Sequence, residues 1–278
     1  MAVRETEQAL VGTFRRGIKR ILEFASGHKI DGVHGGYVIS RYSVDNVDLS
    51  DGLYGRLLSI ELASLLSRYA VNLVLDVGAN TGQFAEFLRS EIHYEGRIIS
   101  FEPISTSFEK LKEASAGDPN WDAHNMAIGS RNAEEQMNVA GLSGFSSFLK
   151  SNAYSHARFG EPSLGTKTEA VVVRRIDGIL AEIVRDVDET RIFLKMDTQG
   201  YDLEVFAGVG DKMKHIVALL SEVSVVPIYE NMPHLTESIA LFEQAGFEIA
   251  GLFPVTRDKP SLRVIEYDCM MVRAAASR

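Results

Sequence analysis

A doubly wound α/β fold with a mainly parallel sheet is predicted by three observations on this chain of 278 residues. Val71, Leu73, Val74, Leu75 and Val77 form a nearly unbroken apolar run, as expected of a strand buried on both faces of a parallel sheet. Asp76 stands near the end of that run. Gly78, Asn80 and Gly82 then make a tight turn, and Phe84, Phe87 and Leu88 follow at helical spacing, giving strand, glycine turn and helix. Other apolar strands also close on an acidic residue: Arg97–Phe101 on Glu102, and Ile192–Met196 on Asp197.

Taken in order, the chain opens with a helical pattern over Glu5–Ser26. Arg15, Arg16, Lys19 and Arg20 make one face of it basic, and Gly27 is a plausible stop. His28–Asp51 holds Gly32, Gly35 and Gly36 between β-prone pieces and reads as a small hairpin or irregular cover. Gly52–Arg68 carries Leu57, Leu58, Ile60, Leu62, Leu65 and Leu66 and reads as a helix. Tyr54 and Arg56 on it are candidates for touching a ligand.

After the Glu102 strand come a helix over Thr106–Ser115 and a strand over Trp121–Ala127, with Trp121 read as core. Glu134–Val139 is expected as an edge strand. Gly141–Lys167 has no clear periodicity and is rich in glycine, serine and aromatic residues. A structureless segment of that length reads as a binding loop or lid. Thr168–Arg174 is strand-like and Ile176–Val184 helical. His215–Ser221 is a strand closing at Glu222, and Ser238–Gln244 is a helix ended by Gly246. Phe247–Phe253 and Val264–Val272 are the last two strands. The domain boundaries that follow are an N-terminal extension over residues 1–70 and a main domain over 71–278, with 141–167 as its substrate loop.

The glycine turn also bears on the ligand. It has no Gly-Lys-Ser/Thr, so it is not a P-loop, and its spacing is D-x-G-x-x-x-G rather than G-x-G-x-x-G. A carboxylate at Asp76 repels a pyrophosphate but suits a cationic or amine-bearing ligand. Glu102 is placed to accept hydrogen bonds from both ribose hydroxyls of an adenosine. An adenosine with a positive centre and an amino acid, and no phosphate, is S-adenosylmethionine. The competing reading is a structural β-turn-α in another α/β protein.

DVGANTGQF, ISFEPISTSFEKL, HNMAIGS and FLKMDTQGYDLEVF, taken together, resemble the FkbM-type family of S-adenosylmethionine-dependent O-methyltransferases, from about Val71 to Val272. The resemblance implies a seven-stranded class I methyltransferase sheet, Rossmann-like, behind the N-terminal extension. It implies methylation of a hydroxyl on a sugar, glycolipid or polyketide. Cofactor contacts then fall on Asp76, Gly78, Asn80, Gly82 and Glu102. The turn Asn125–Met126–Ala127 borders the adenine, and Ser146 lies in the small-residue motif Gly144–Phe148. In one place the chain departs from the family pattern D-V-E-G-A-E: it reads Asp197-Thr198-Gln199-Gly200-Tyr201-Asp202.

A sugar hydroxyl is a weak nucleophile, so a base should take its proton as attack proceeds. Asp197 and Glu222, each expected at a strand end, and His156 on the long loop are the candidates; Asp202 could face the same cleft. Asp197 could instead bind the methionine amino group. Asp197, Asp202 and Glu222 could also hold Mg2+ to align a diol.

Composition narrows the partners. A formal charge of −9 lacks the basic footprint of nucleic-acid binding. One cysteine, Cys269, excludes an intrachain disulfide and a multi-cysteine zinc site, and its apolar run reads as buried. No apolar stretch reaches the ~18 residues of a membrane span, and the N-terminus lacks a signal layout, so a cytoplasmic location is expected. The basic N-terminal helix is a candidate for peripheral membrane contact, or for packing on the main domain or in a homo-oligomer. The expected function is O-methylation of a sugar on a glycolipid, glycopeptidolipid or polysaccharide. A polyketide or other small-molecule acceptor, a non-catalytic nucleoside-binding protein and a nicotinamide oxidoreductase are the alternatives.

Overall fold

The computed structural model describes residues 28–33, 36–41, 47–141, 143–160 and 165–274. The basic helix expected over Glu5–Ser26 lies outside them. The chain divides into two compact units, Met1–Leu53 and Tyr54–Arg278. In the first, β1 (His28–Val33) and β2 (Gly36–Arg41) form an antiparallel hairpin. Helix α1 runs over Val47–Arg68, so the division falls inside a helix rather than at residue 70, and Gly52 lies within that helix instead of opening it.

The second unit is built on β3 (Leu73–Val77), β4 (Arg97–Phe101), β5 (Trp121–His124), β9 (Ile192–Met196), β10 (Ile216–Ser224), β11 (Phe247–Asp258) and β12 (Arg263–Arg273). Their order in the sheet is β11-β12-β10-β9-β3-β4-β5. The pairs β10–β9, β9–β3, β3–β4 and β4–β5 are parallel, and β12 is antiparallel to both its neighbours. Every residue of β3 and β9 is buried, which is why both read as apolar runs without alternation.

Alternate residues of these strands feed two cores. One face packs Leu75, Val77, Leu194 and Leu219 against α5 (Ile176–Ile183), α6 (Asp202–Ala207) and α7 (Leu235–Gln244), through Ile179, Phe206 and Phe242. The other packs Val74, Phe193 and Leu220 against α1, α2 (Gln83–Ser90) and α3 (Ser105–Ser115), through Leu62, Leu88 and Leu111. Helices on both faces make the sheet doubly wound. Helix α7 starts three residues earlier than its apolar pattern implied, because His234 caps it reciprocally with Glu237.

The expected third strand, Trp121–Ala127, stops at His124. Ala127–Ile128 instead forms β6 of a small sheet with β7 (Ala133–Ala140) and β8 (Gly165–Arg174), in the order β6-β8-β7, so β7 is an edge strand as its partial alternation suggested. The described residues of the segment 141–167 are not structureless. Ser143–Phe145 forms a 3-10 turn, and Ala153–Phe159 forms α4, whose first turn is capped by Asn152 accepting from the Ser155 N–H at 3.0 Å. Asn152 also donates to Pro227 O at 2.7 Å, and Glu230 N donates to Lys150 O at 2.8 Å. Those bonds, with Phe145, Leu149 and Tyr154 packed against Tyr229 and Met232, anchor the segment to residues 226–232. A loop too short of periodic pattern to read as a helix is ordered by contacts with a distant part of the chain. Cys269 is buried, and among the described residues no helix is long and apolar enough to cross a membrane.

Candidate active site

The carboxyl ends of β3, β4 and β9 open onto a cleft. Its position follows from the turn after β3. Gly78 has φ +75°, and a Cβ there would stand 2.0 Å from Asp197 O, so only glycine lets the β3 turn lie against the end of β9. Asn80 follows at φ +49° and donates its backbone N–H to Glu102 Oε2 at 2.8 Å. Ile104 N donates to Glu102 Oε1 at 2.9 Å. The Glu102 side chain, in a residue only 6% exposed, is thereby aimed at the cleft with one lone pair of each oxygen taken. Burial raises its pKa to about 7, against the lowering effect of those two N–H bonds.

The walls are apolar: Val77, Phe101, Met126, Ile128, Met137 and Phe148. Met126 and Ala127 both line the cleft, as does Ser146, whose Oγ accepts from Ala140 N at 3.1 Å. Among the described residues lining it there are two carboxylates, Glu102 and Asp197, and no lysine, arginine or histidine.

Asp76 needs a correction. It is 0% exposed and does not line the cleft. Lys195 Nζ lies 3.2 Å from Asp76 Oδ1, and Ser100 Oγ donates to Asp76 Oδ2 at 3.1 Å while accepting from Trp121 Nε1 at 2.9 Å. In parallel register Asp76 stands beside Lys195 and Ser100, so a neighbouring strand sets a cation against its charge, although Oδ1 accepts no hydrogen bond among the described residues. Lys195 also donates to Gly78 O at 3.1 Å and lies 3.6 Å from Asp197 Oδ2. Burial works to lower the Lys195 pKa, but Asp76 and Asp197 outweigh it and hold the ammonium above the usual lysine value. A lysine inside the apolar strand IFLKM was the available signal, since a lysine is rarely buried unless paired.

Two more residues expected as contacts do not line the cleft. Gly82, at φ +99°, packs where a Cβ would meet the Trp121 ring at 2.9 Å, and does not line the cleft. The Asn125 amide is spent on the carbonyls of Glu102 and Pro103, at 3.0 Å each, so it shapes the turn without facing the cleft.

The candidate bases separate. Asp197 lies at the cleft, with its side chain 42% exposed. Glu222 does not reach it, because β10 continues to Ser224 and Gln199 stands between them. Gln199 Nε2 donates to Asp197 Oδ1 at 3.1 Å and to Glu222 Oε2 at 3.0 Å, and its Oε1 accepts from Tyr229 OH at 2.9 Å. Burial first, then the carboxylates of Glu266 and Asp197, raise Glu222 well above its ordinary pKa. Gln199 holds φ +54°, a left-handed conformation fixed by this three-way bonding.

Asp202 turns away from the cleft, accepting from Thr198 N at 2.9 Å and from Ser221 Oγ at 2.7 Å. His156 is exposed on α4 and lines no cleft, because the segment folds as a helix on the 226–232 loop. Among the described residues no group of three or more His, Cys, Asp or Glu is disposed to hold a metal ion, so Asp197, Asp202 and Glu222 do not converge as the expected Mg2+ ligands. Tyr54 and Arg56 turn to other partners: Tyr54 lies beneath the Arg257 guanidinium and Arg56 pairs with Glu91.

A seven-stranded sheet with one antiparallel strand beside the edge, wound on both faces and carrying its cleft at the parallel carboxyl ends, is a class I methyltransferase fold. Residues 76–249 match the family model described as Methyltransferase FkbM domain, and the chain belongs to that family. Similar solved structures include the methyltransferase FkbM of Methylobacillus flagellatus, at 17% identity and TM-score 0.45, over 73% of this chain and 43% of that one. The chain thus spans less than half the length of that protein. Magnesium protoporphyrin IX methyltransferase of Synechocystis with bound S-adenosylmethionine is similar at 10% identity and TM-score 0.42, over 84% and 86% of the two chains. Fibrillarin of Aeropyrum pernix with natively bound S-adenosyl-L-methionine is similar at 12% identity and TM-score 0.43, over 88% and 83%. No curated protein matches the chain.

Proposed function

We propose that this protein is an S-adenosylmethionine-dependent O-methyltransferase whose acceptor is a hydroxyl of a sugar, carried on a glycolipid, glycopeptidolipid or polysaccharide. One observation carries the donor half of the reading. The cleft presents the Glu102 carboxylate among apolar walls, which suits the ribose and base of an adenosine, and the turn beside it has the spacing D-x-G-x-x-x-G rather than the dinucleotide G-x-G-x-x-G. The residues fit the group in a second respect. Asn80 Oδ1 is buried without a hydrogen-bond partner among the described residues, at the rim of the cleft, an acceptor suited to the ammonium of an amino acid.

When bound, S-adenosylmethionine would supply an electrophilic methyl to the acceptor oxygen, with the electron pair of the carbon–sulfur bond leaving on sulfur. Glu102 would hold the ribose, and Met126, Ile128 and Phe148 would shield the adenine from water. Asp197, held by Lys195 and Gln199 at the rim, is the candidate to receive the hydroxyl proton. Positioning carries much of the acceleration, because the leaving group is already activated. Isothermal titration with S-adenosylmethionine and with NAD tests the reading: binding of the former alone supports it, and binding of NAD alone overturns it. Methyl transfer from labelled S-adenosylmethionine to neutral oligosaccharides and glycolipids then tests the acceptor.

A further inference from the structure

A second cavity meets the cleft at Gly78, Asn80 and Asp197. Leu58 of α1 and Phe84 and Phe87 of α2 form its apolar wall, and Lys195, Asp197 and Asp268 are its charged groups. Asp268 opposes Glu222 in the β10–β12 register, and Met270 opposes Leu220, which lies beside Lys195 in β9. Alternation therefore puts Asp268 on the sheet face that bears Lys195 and Asp76. Unlike Lys195 and Asp197, the half-buried Asp268 makes no side-chain hydrogen bond and no ion pair among the described residues. A half-buried carboxylate without a protein partner, lining a cavity, is open to a ligand's hydroxyl.

We propose that this cavity is the acceptor subsite, taking an uncharged hydroxyl-bearing head, a sugar or other polyol, onto Asp268 with its apolar side against Phe84 and Phe87. The inference rests on the methyl-transfer reading and adds the acceptor's place and class. Asp197 belongs to both cavities, so a donor in the first and an acceptor in the second meet at the same side chain. The Lys195 charge is committed to Asp76 and Asp197, which leaves the Asp268 carboxyl to set the sign of the cavity and to oppose an anionic acceptor. Burial and the nearby Asp197 raise Asp268 to about 7, so near neutrality it can donate as well as accept, as a hydroxyl partner requires. Gly55 supports the same assignment. It lies inside α1, where glycine is disfavoured relative to alanine, and a Cβ there would meet nothing within 4 Å. A side chain built there would enter open space at that wall of the cavity.

The test uses the full chain saturated with S-adenosylhomocysteine and titrated calorimetrically with octyl β-glucoside below its micelle concentration, octanoate and octylammonium. These probes share a tail and differ in the head. Binding of the glucoside in preference to octanoate is expected. Gly55→Leu, which fills open space and favours the helix, should weaken the glucoside at least tenfold, and Asp268→Asn should weaken it about tenfold, the scale of one charged hydrogen bond. Both variants should bind S-adenosylmethionine within about twofold of the parent and melt cooperatively. Glucoside affinity unchanged in Gly55→Leu, or binding of octylammonium alone, overturns the proposal. Loss of S-adenosylmethionine affinity in Gly55→Leu would give the cavity to the donor's amino-acid tail, overturning the acceptor subsite while leaving the methyltransferase reading intact. A parent chain that binds no S-adenosylmethionine would overturn that reading itself.

Discussion

Glu102→Gln isolates the ribose contact from the rest of the cleft. The carboxyl sits near pKa 7 because burial outweighs its bonds from Asn80 N and Ile104 N. A ribose that donates both hydroxyls needs lone pairs on both oxygens, and a protonated carboxyl gives up one of them to its own hydrogen. Binding therefore draws on the ionised fraction, and the apparent Kd scales as 1 + 10^(pKa − pH). Between pH 6 and pH 8 the Kd should fall about tenfold. Glutamine cannot titrate, so this slope should vanish in the variant, with overall affinity weaker by about 1–3 kcal/mol for the lost charged acceptor. The assay is isothermal titration of S-adenosylmethionine at pH 6, 7 and 8 on both proteins. Titration of the ligand's own groups is common to both and cancels in the ratio of their Kd values. A ratio that stays constant from pH 6 to pH 8 would refute the assignment. The same shift acts on the ligand-free fold. The native state holds the Glu102 proton more tightly than the unfolded chain, so its contribution to stability is greatest below the ordinary glutamate value of 4.5 and declines as pH rises through about 7.

Lys195→Met leaves Asp76 fully buried without its cation and should cost about 3–5 kcal/mol in urea unfolding, with part of the loss recovered by adding Asp76→Asn. An unchanged midpoint would show that Ser100 alone suffices for Asp76. Gly78→Ala drives a Cβ to 2.0 Å from Asp197 O at φ +75°, and should lose roughly 2–4 kcal/mol from left-handed strain plus overpacking; a variant as stable as the parent would mean that the β3 turn and β9 part easily. Asp197→Asn should lower labelled methyl transfer at least tenfold while leaving the melt cooperative, and retained turnover would clear Asp197 of the base role.

The apolar runs at Leu73–Val77 and Ile192–Met196 were legible because strands buried on both faces cannot alternate. The glycine turn and Glu102 were legible because close backbone approach and a strand-end carboxylate impose residue types at short spacing. These local requirements set the class of fold and the Glu102 side of the cleft. What they could not set is where a charge points once strands far apart in sequence lie side by side. Asp76 looked like a ligand contact, yet Lys195, far along the chain, stands beside it in register and takes its charge. Glu222 looked like a strand tip, yet Gln199 and Tyr229 close in front of it. His156 and the segment around it carry no periodicity, and only the 226–232 loop gives them an ordered place. Burial and cross-strand pairing are long-range properties, so the tertiary structure alone decided which carboxylates hold the protein together and which are left facing a cavity.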